Sequence, residues 1–531
     1  MFERLFAIRG SKNRLPALLI TLGIGALLIT GGVTLRVRQD QVAVAAASGT
    51  QTALAPTLTP SFTPTSSDTP TPSETPTPSE TPTRTPTGTR PPTETPTPSP
   101  TASPTPVPAA TVRIDTGTYA TPATPPATAI PTPVARLNVP REVVNILLMG
   151  SDKRPDDGGY RTDTLVVVSI NKAEGTVNML SIPRDLYVYI PGYTMARINV
   201  ADSRGAAVGW PGGGPGLVKE TLLYNFGITI HHYARVDFDG FKEIVDILGG
   251  IDIPVDCALT GHRLRDTSVS ANDFATYQEW VDYTGDDANW IEYTLPVGVH
   301  RLDGYMALWY SRVREGSSDF DRARRQQQVL RAILYTARSR GLLTLTRVPE
   351  LWQQYNDLVD TDMGLGNLLE LLPIAADLEP NEIRSYIIWP GYLTAWTEPG
   401  TNASVFLPNP GLSEDLIALA MQPPAQNYVV QNSVLVEVRN GTGIERLDEV
   451  AADRLGWEGL EAIPTGRAAE APNFPRTVIY DYTGRQKTRQ LILMQHLLRV
   501  ADADVIAQPD PNRMVDYVVI LGGNYQSCGR N

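Results

Sequence analysis

Charged residues stand at the borders of apolar runs in this chain. Asp152 follows NILLMG, Arg161 and Asp163 open RTDTLVVVSI, and Arg184 and Asp185 follow MLSIP. Arg312 and Arg314 alternate in LWYSRVR, and DFDRARRQQQ carries Arg322, Arg325 and Gln326. An arginine offers a planar fork matched to phosphate oxygens, and an aspartate offers hard oxygen donors to a divalent cation. A pyrophosphate and its metal need both, so the pattern points to phosphoryl transfer. Surface ion pairing would explain any one of these motifs. It explains less well a set in which every member is of a metal- or phosphate-binding type and lies at an element border.

The elements that position these residues are legible from their apolar spacing. VVNILLMG (143–150), TLVVVSIN (164–171) and TVNMLSI (176–182) are short runs rich in Val, Ile and Leu and read as buried strands. KETLLYNFGI (219–228), FKEIVDILGG (241–250) and RRQQQVLRAILYTARS (324–339) show helical spacing, the second stopping at a glycine pair. Strands interleaved with helices predict an α/β layered domain with its sheet covered on both faces, and ligands of such sheets gather at strand ends. Arg161 and Asp163 are two apart, as are Arg312 and Arg314, so each pair shares a face if its segment is extended. Arg322, Arg325 and Gln326 share a side of a helix that begins near Asp319, whose carboxylate is placed to cap it.

The first third of the chain sets where it resides. Residues 15–35 form an uncharged apolar run long enough to span a bilayer as a helix. Arg4, Arg9, Lys12 and Arg14 precede it against Glu3 alone, and Arg36 and Arg38 follow. This predicts a cytoplasmic segment over 1–14 and a body outside the membrane. A cleaved signal peptide is the competing reading, with AVAAASG at 43–49 offering small residues. The length of the apolar run favours the uncleaved anchor. Residues 36–136 are dominated by repeats such as TPTPSETPTPSETPT, which have too little apolar surface to offset the entropy of ordering. They predict a disordered stalk with a reach on the order of 250 Å if extended as polyproline II at ~3.1 Å per residue.

Residues 137–531 exceed what one average core holds, which predicts two folded units, 137–427 and 428–531. A net charge of −12 argues against nucleic acid as a partner. Cys257 and Cys528, the two cysteines, build neither a disulfide framework nor a zinc site. A bridge between them is not expected, because Cys528 lies in a short tail. GWPGGGPG (209–216) lacks the Gly-Lys-Ser/Thr ending of a phosphate loop and reads as a connector. His231 and His232 are adjacent, without a carboxylate-His helix motif, and do not suggest zinc. The Trp and Tyr residues of 277–310 suit a sugar platform, but core or loop packing is the preferred reading.

Residues 145–335 resemble the LytR-CpsA-Psr family. The segments that carry the resemblance are GSDKRPDDGGYRTDTLVVVSIN, LSIPRDLYVYI, INVADSRG, VDFDGFKEIVDILGGIDIPV, VGVHRLDGYMALWYSRVR and DFDRARRQQ, in that order. It continues more weakly to about residue 425. The resemblance implies an α/β/α sandwich that binds a polyprenyl pyrophosphate-linked glycan outside the membrane and transfers the glycan with one phosphate to a peptidoglycan hydroxyl or another envelope acceptor. It further implies that Asp152 and Asp163 hold Mg²⁺. Arg161, Arg184, Arg312, Arg314 and Arg322 form a catalytic pyrophosphate clamp, with Gln326 as their hydrogen-bonding companion. His300 stands where Gln or Lys is more frequent. Asp321 stands where Gly is frequent, and would weaken the positive field if it points inward. Asp185, beside Arg184, is a candidate general base, with a salt-bridge role preferred.

The polyprenyl tail needs an apolar groove, for which the helical segments 219–228 and 241–250 are possible walls, though core packing is the preferred reading. SVLVEVRNGTG, ERLDEVAADRLGW, RTVIYDYTG, KTRQLILMQHLLRV and DYVVILGGN then read as strand, helix, strand, helix, strand. They resemble the LytR C-terminal domain and carry no acid, base or metal cluster, so a binding or positioning role follows. Two other readings stand beside the transferase: a polyprenyl pyrophosphate hydrolase in which water replaces the acceptor, and a non-catalytic protein that holds prenyl phosphate or wall glycan.

Overall fold

The computed structural model describes residues 130–152, 160–269, 273–426, 429, 433–468, 474–485 and 488–528. The expected membrane span at 15–35 and the stalk up to residue 129 lie outside the described residues. Among those described, no helix is long and apolar enough to cross a membrane.

The fold is mixed α/β. A six-stranded sheet contains β1 (Val143–Ser151), β2 (Thr162–Asn171), β3 (Thr176–Ser181), β4 (His232–Val236), β5 (Asp360–Thr361) and β6 (Ile383–Ile387), in the order β5-β4-β1-β2-β3-β6. β1 runs antiparallel to β2 and parallel to β4, and β2 and β3 are antiparallel. The helices that follow the chain around this sheet are α1 (Gly213–Phe226), α2 (Phe238–Ile247), α3 (Gly304–Arg312), α4 (Asp319–Ser339), α5 (Arg347–Tyr355), α6 (Leu365–Asp377) and α7 (Leu412–Ala420).

Both faces of the sheet are covered, as the unbroken apolar runs of β1 and β2 require. Val144, Ile146 and Leu148 of β1 pack with Ile244 of α2, Ala307 of α3, Val329 of α4 and Leu368 of α6. Leu147 and Met149 point the other way, toward Leu217 and Leu222 of α1 and Ile417 of α7. Each fully buried side chain of this size contributes about 1.5–3 kcal/mol.

Several local expectations change. LWYSR is the last part of α3, not a strand. Asp303 caps that helix by accepting from the Met306 N–H, and Gly304 lets its first turn approach α2, where a β-carbon would meet the Lys242 carbonyl oxygen at 2.2 Å. The register of β1 against β2 shifts between Gly150, which faces Thr164, and Ser151, which faces Thr162, so Asp163 is the extra residue of a bulge. α1 begins inside the glycine run, and a β-carbon at Gly214 would lie 2.0 Å from Asp202 Oδ1. Packing also begins before residue 137: the Val134 N–H donates to the Tyr224 carbonyl at 2.9 Å, and the Tyr224 hydroxyl donates to the Pro131 carbonyl at 2.9 Å.

Toward the C-terminus a five-stranded sheet contains β7 (Leu435–Asn440), β8 (Glu461–Arg467), β9 (Val478–Asp481), β10 (Val505–Ala507) and β11 (Tyr517–Leu521), in the order β8-β7-β11-β9-β10. Helices α8 (Leu447–Trp457) and α9 (Arg489–Leu498) accompany it. The strand–helix alternation matches the sequence expectation, with β8 and β10 added as edges. The sequence of β8, EAIPTGR, holds a proline and a glycine and is mostly exposed, which hides it from an apolar-pattern reading.

Cys257 and Cys528 form a disulfide, contrary to expectation. The tail that carries Cys528 is held in place. Tyr525 packs on the core of the C-terminal sheet and donates to Ser527 Oγ at 2.7 Å, and Arg499 Nη2 donates to the Cys528 carbonyl at 2.8 Å.

Candidate active site

A cavity of about 370 Å³ opens at the ends of β1 and β2. Its polar part is formed by Asp163, Arg184, Arg312, Arg314, Arg322 and Gln326, and its apolar part by residues that include Phe238, Phe241, Leu308, Val329, Leu330 and Ile333. The bulge at Asp163 directs both Asp163 and Thr164 into this cavity, and it breaks the alternation that would have placed Arg161 beside Asp163. Arg161 is exposed and lies outside the lining. So does Asp152, whose Oδ1 accepts the Arg161 N–H at 2.5 Å and closes the mouth of the β1–β2 connection.

The arginines are held by carboxylates. Arg184 Nη1 lies 2.8 Å from Asp163 Oδ2, and Arg184 Nε lies 3.2 Å from Asp185 Oδ2. Burial, the largest influence on Arg184, pulls its pKa down, but Asp163, Asp185 and Asp319 together outweigh it and hold the group above its usual value. Arg322 differs. Burial lowers its pKa, Arg314 and Arg184 add to that, and Asp319 only partly offsets them. Four arginines line the cavity against two aspartates, Asp163 and Asp237, an excess of cationic groups that suits an anion.

Arg312 and Arg314 reach the cavity together because α3 ends between them: Arg312 is its last residue and Val313 turns extended. The Arg312 guanidinium lies 4.1 Å from the Phe238 ring centroid. Arg314 Nε is 3.9 Å from Asp319 Oδ1, the same oxygen that Arg322 Nη1 meets at 2.6 Å. Gln326 Nε2 donates to the Ser311 carbonyl at 3.3 Å.

Three expectations at the start of α4 need correction. Ser318, not Asp319, caps the helix, and the Asp321 carboxylate completes a capping box by accepting from the Ser318 N–H and Oγ. Asp321 is thereby kept out of the arginine field, and Asp319 is the acid that enters it. Arg325 does not join the cavity either. It is 4% exposed and donates to the carbonyls of Tyr310 and Val313, fixing the turn on which Arg312 and Arg314 stand. Asp185 has both oxygens engaged, with Arg184 and with Arg197 at 3.2 Å each, which is the salt-bridge role and not that of a base.

Of the two helical segments considered as walls, α2 supplies Phe238 and Phe241, while no residue of α1 lines the cavity. Sequence reasoning also missed a support behind β2. Thr162 Oγ1 donates to Asp202 Oδ2 at 3.0 Å, and Asp202 Oδ1 accepts from Arg235 Nη1 at 2.7 Å. Asp202 is fully buried, and beside it burial pushes the Tyr160 hydroxyl up to about 12. Nothing in the spacing of these separate residues announces the network.

A divalent cation fits this donor set. Asp163 Oδ1 is buried with no hydrogen-bond partner, while its other oxygen holds Arg184. No group of three or more His, Cys, Asp or Glu residues among those described is arranged to hold a metal alone. One unpartnered carboxylate oxygen is compatible with Mg²⁺, which takes one or two carboxylates and completes its shell with phosphate oxygens and water.

Known proteins resemble this chain over part of its length. Polyisoprenyl-teichoic acid–peptidoglycan teichoic acid transferase TagU of Oceanobacillus iheyensis is 34% identical over 234 residues, covering 44% of this chain and 62% of that protein. The corresponding transferase TagT of Bacillus subtilis is 29% identical over 253 residues, covering 46% of this chain and 67% of that protein. The solved structure of B. subtilis TagV aligns with a TM-score of 0.41 at 25% identity, covering 53% of this chain and 96% of that one. The alignment thus spans less than two thirds of TagU. Residues 121–392, just over half of the chain, match the model of the LytR_cpsA_psr family, and the chain belongs to that family.

Proposed function

We propose that the protein is an extracytoplasmic phosphotransferase that moves a glycan with one phosphate from a polyprenyl pyrophosphate carrier to peptidoglycan or another envelope acceptor. The observation that carries this reading is one cavity joining an arginine cluster and Asp163 to a wall of Phe238, Phe241, Leu330 and Ile333. A pyrophosphate with an apolar tail satisfies both parts at once. Two relatives named as teichoic acid transferases support the choice of reaction.

In the reaction, an acceptor hydroxyl attacks the glycan-side phosphorus, the bond to the bridging oxygen breaks, polyprenyl phosphate leaves with the electron pair, and the hydroxyl proton passes to the departing phosphate or to water. The transition state is loose, so positioning and charge neutralisation matter more than a strong nucleophile. Arg184 and Arg322, both largely buried, face charge that develops on the phosphoryl oxygens, and Arg312 and Arg314 hold the pyrophosphate from the end of α3. Arg325 and the Asp202–Arg235 pair keep these side chains in place without touching substrate. Bound Mg²⁺, held by Asp163, would supply further neutralisation of pyrophosphate charge, while Asp152 lies outside the cavity lining. The phenyl rings of α2 exclude water from the tail side, which strengthens each of these interactions.

The same proposal includes a membrane anchor at 15–35 with a cytoplasmic N-terminus, a stalk from 36 that ends before the packed residues Pro131 and Val134, and a C-terminal α/β module from 428 onward. The test is turnover of the full-length, detergent-extracted protein on a prenyl pyrophosphate glycan, with mass analysis of products. A phosphoglycan joined to an acceptor is the expected product. Release of free phosphoglycan in the presence of acceptor would assign a hydrolase, and no cleavage would leave a binding protein.

A further inference from the structure

α4 carries two sets of side chains with different partners. Arg322, Gln326, Val329 and Ile333 line the arginine cavity, whereas Arg324 and Gln328, one turn apart, meet residues outside it. Arg324 Nη2 donates to Asp256 Oδ1 at 2.6 Å. Gln328 Nε2 donates to Asp453 Oδ2 at 2.8 Å and to the Pro254 carbonyl at 2.8 Å, and Gln328 Oε1 accepts from the Tyr310 hydroxyl at 2.7 Å. Asp453 belongs to α8 of the C-terminal module, Gln328 to α4, and Tyr310 to α3, two residues before Arg312. The three side chains form one line of hydrogen bonds from the C-terminal module to the end of α3.

The direction of each bond in this line is fixed. A primary amide has an N–H₂ donor end and a carbonyl acceptor end. The Pro254 carbonyl only accepts, so the amide nitrogen faces it, and the amide oxygen is left for Tyr310, whose hydroxyl must donate. Gln328 and Tyr310 are each 1% exposed, so an unmet polar group in either is costly. Tyr310 is thereby gripped twice, at its hydroxyl by Gln328 and at its carbonyl by Arg325 Nε at 2.9 Å. Asp453, 125 residues from Gln328 in sequence, is the member that only the C-terminal module can supply. That module is held against the same stretch of chain by Arg446, whose Nη2 donates to Asp252 Oδ2 at 3.0 Å, and by the Cys257–Cys528 disulfide.

We propose that Asp453 is a positioning residue for the arginine cluster: by orienting the Gln328 amide it fixes Tyr310, and with it the end of α3 from which Arg312 and Arg314 reach the cavity. The C-terminal module is then a working part of the anion site. That the anion is a lipid pyrophosphate rests on the proposed function; the coupling of Asp453 to the arginines does not.

The test uses the full-length, detergent-extracted protein with geranylgeranyl pyrophosphate as titrant, its dissociation constant read by calorimetry at a temperature where each variant is folded. Asp453→Ala is expected to weaken binding roughly threefold to tenfold, the equivalent of about one hydrogen bond. Asp453→Asn keeps an acceptor oxygen and should restore most of the affinity. Tyr310→Phe cuts the other end of the line and should weaken binding by a similar factor. The double variant Asp453→Ala/Tyr310→Phe should bind no worse than the weaker single variant, because both changes break one line. Should Asp453→Ala fail to fold, Asp453→Ser, whose shorter side chain does not reach Gln328, takes its place. A purely structural role would lower the melting temperature and leave the dissociation constant of the folded protein unchanged, and that result, or additive effects in the double variant, would overturn the inference. Turnover on lipid-linked donor is measured separately. Wild-type protein that binds the pyrophosphate without turnover refutes the transferase reading alone, and unchanged affinity in the folded Asp453 variants refutes this inference alone.

Discussion

At the residue scale, the arginines can be told from ordinary surface charge by what lysine cannot replace. Arg184→Lys, Arg312→Lys and Arg314→Lys keep the charge and lose the planar fork, so each is expected to lower turnover. Loss of one charge-assisted contact made in the transition state corresponds to about 2–4 kcal/mol, or roughly thirty- to a thousandfold. Arg184, with a side chain 16% exposed, should fall nearer the upper end than Arg314, at 45%. An exposed ion pair is worth only ~0–1 kcal/mol, so near-wild-type turnover in all three variants, at unchanged melting temperature, would discard the clamp. The two aspartates should also separate. Asp163 offers a buried, unpartnered oxygen, whereas Asp152 gives one oxygen to the backbone. Asp163→Ala is therefore expected to shift the Mg²⁺ titration further than Asp152→Ala, and identical titrations would contradict the unequal geometry.

At the element scale, the turn between α3 and α4 is the part on which the clamp depends. Arg325 holds it through the carbonyls of Tyr310 and Val313, with a further bond to Ser317 Oγ at 3.3 Å. Arg325→Met removes those donors from buried carbonyls, a loss of about 1–3 kcal/mol of stability per orphaned group. Because Arg312 and Arg314 stand on the same turn, turnover should fall more than stability alone accounts for, with KM for the lipid-linked donor rising. Arg325→Lys should restore part of both. A variant that loses stability but keeps KM and kcat at a temperature where it is fully folded would confine Arg325 to the core.

At the scale of the whole molecule, the C-terminal sheet is tied to the rest by groups with opposite effects. The Cys257–Cys528 disulfide joins positions 271 residues apart, and such closures stabilise by about 2–5 kcal/mol through the unfolded chain. Replacing both cysteines by serine should lower the melting temperature by several degrees, and an unchanged value would mean the bond does not restrain the folded unit. Asp453 works the other way. It accepts from Gln328 Nε2 at 2.8 Å, and burial raises its carboxyl above the usual range despite Arg331 and Arg324 nearby. With the folded pKa above the unfolded one, its contribution is fully present below about pH 4 and is lost as pH rises through the folded value. Asp453→Asn keeps the acceptor without the charge, so it should raise the melting temperature at pH 7 and converge with wild type near pH 4. A constant difference at both values would rule out titration as the cause.

The sequence by itself determined the strands, the long helix and the stock of arginines and aspartates, because apolar periodicity and residue chemistry are local properties. VVNILLMG and TLVVVSIN read as buried strands, Asp152 and Arg184 as residues at strand ends, and Arg322 as one face of a helix. It did not determine which of those groups meet. A single extra residue at Asp163 turned Arg161 away, and a cap at Ser318 exchanged Asp321 for Asp319 in the arginine field. Arg325 became a brace because two carbonyls lay within its reach. The disulfide and the Gln328–Asp453 hydrogen bond depend on where a distant sheet settles against α4, which no short stretch of chain encodes. Helix, strand and charge follow from neighbours in sequence, while partners, free oxygens and cavities follow from neighbours in space.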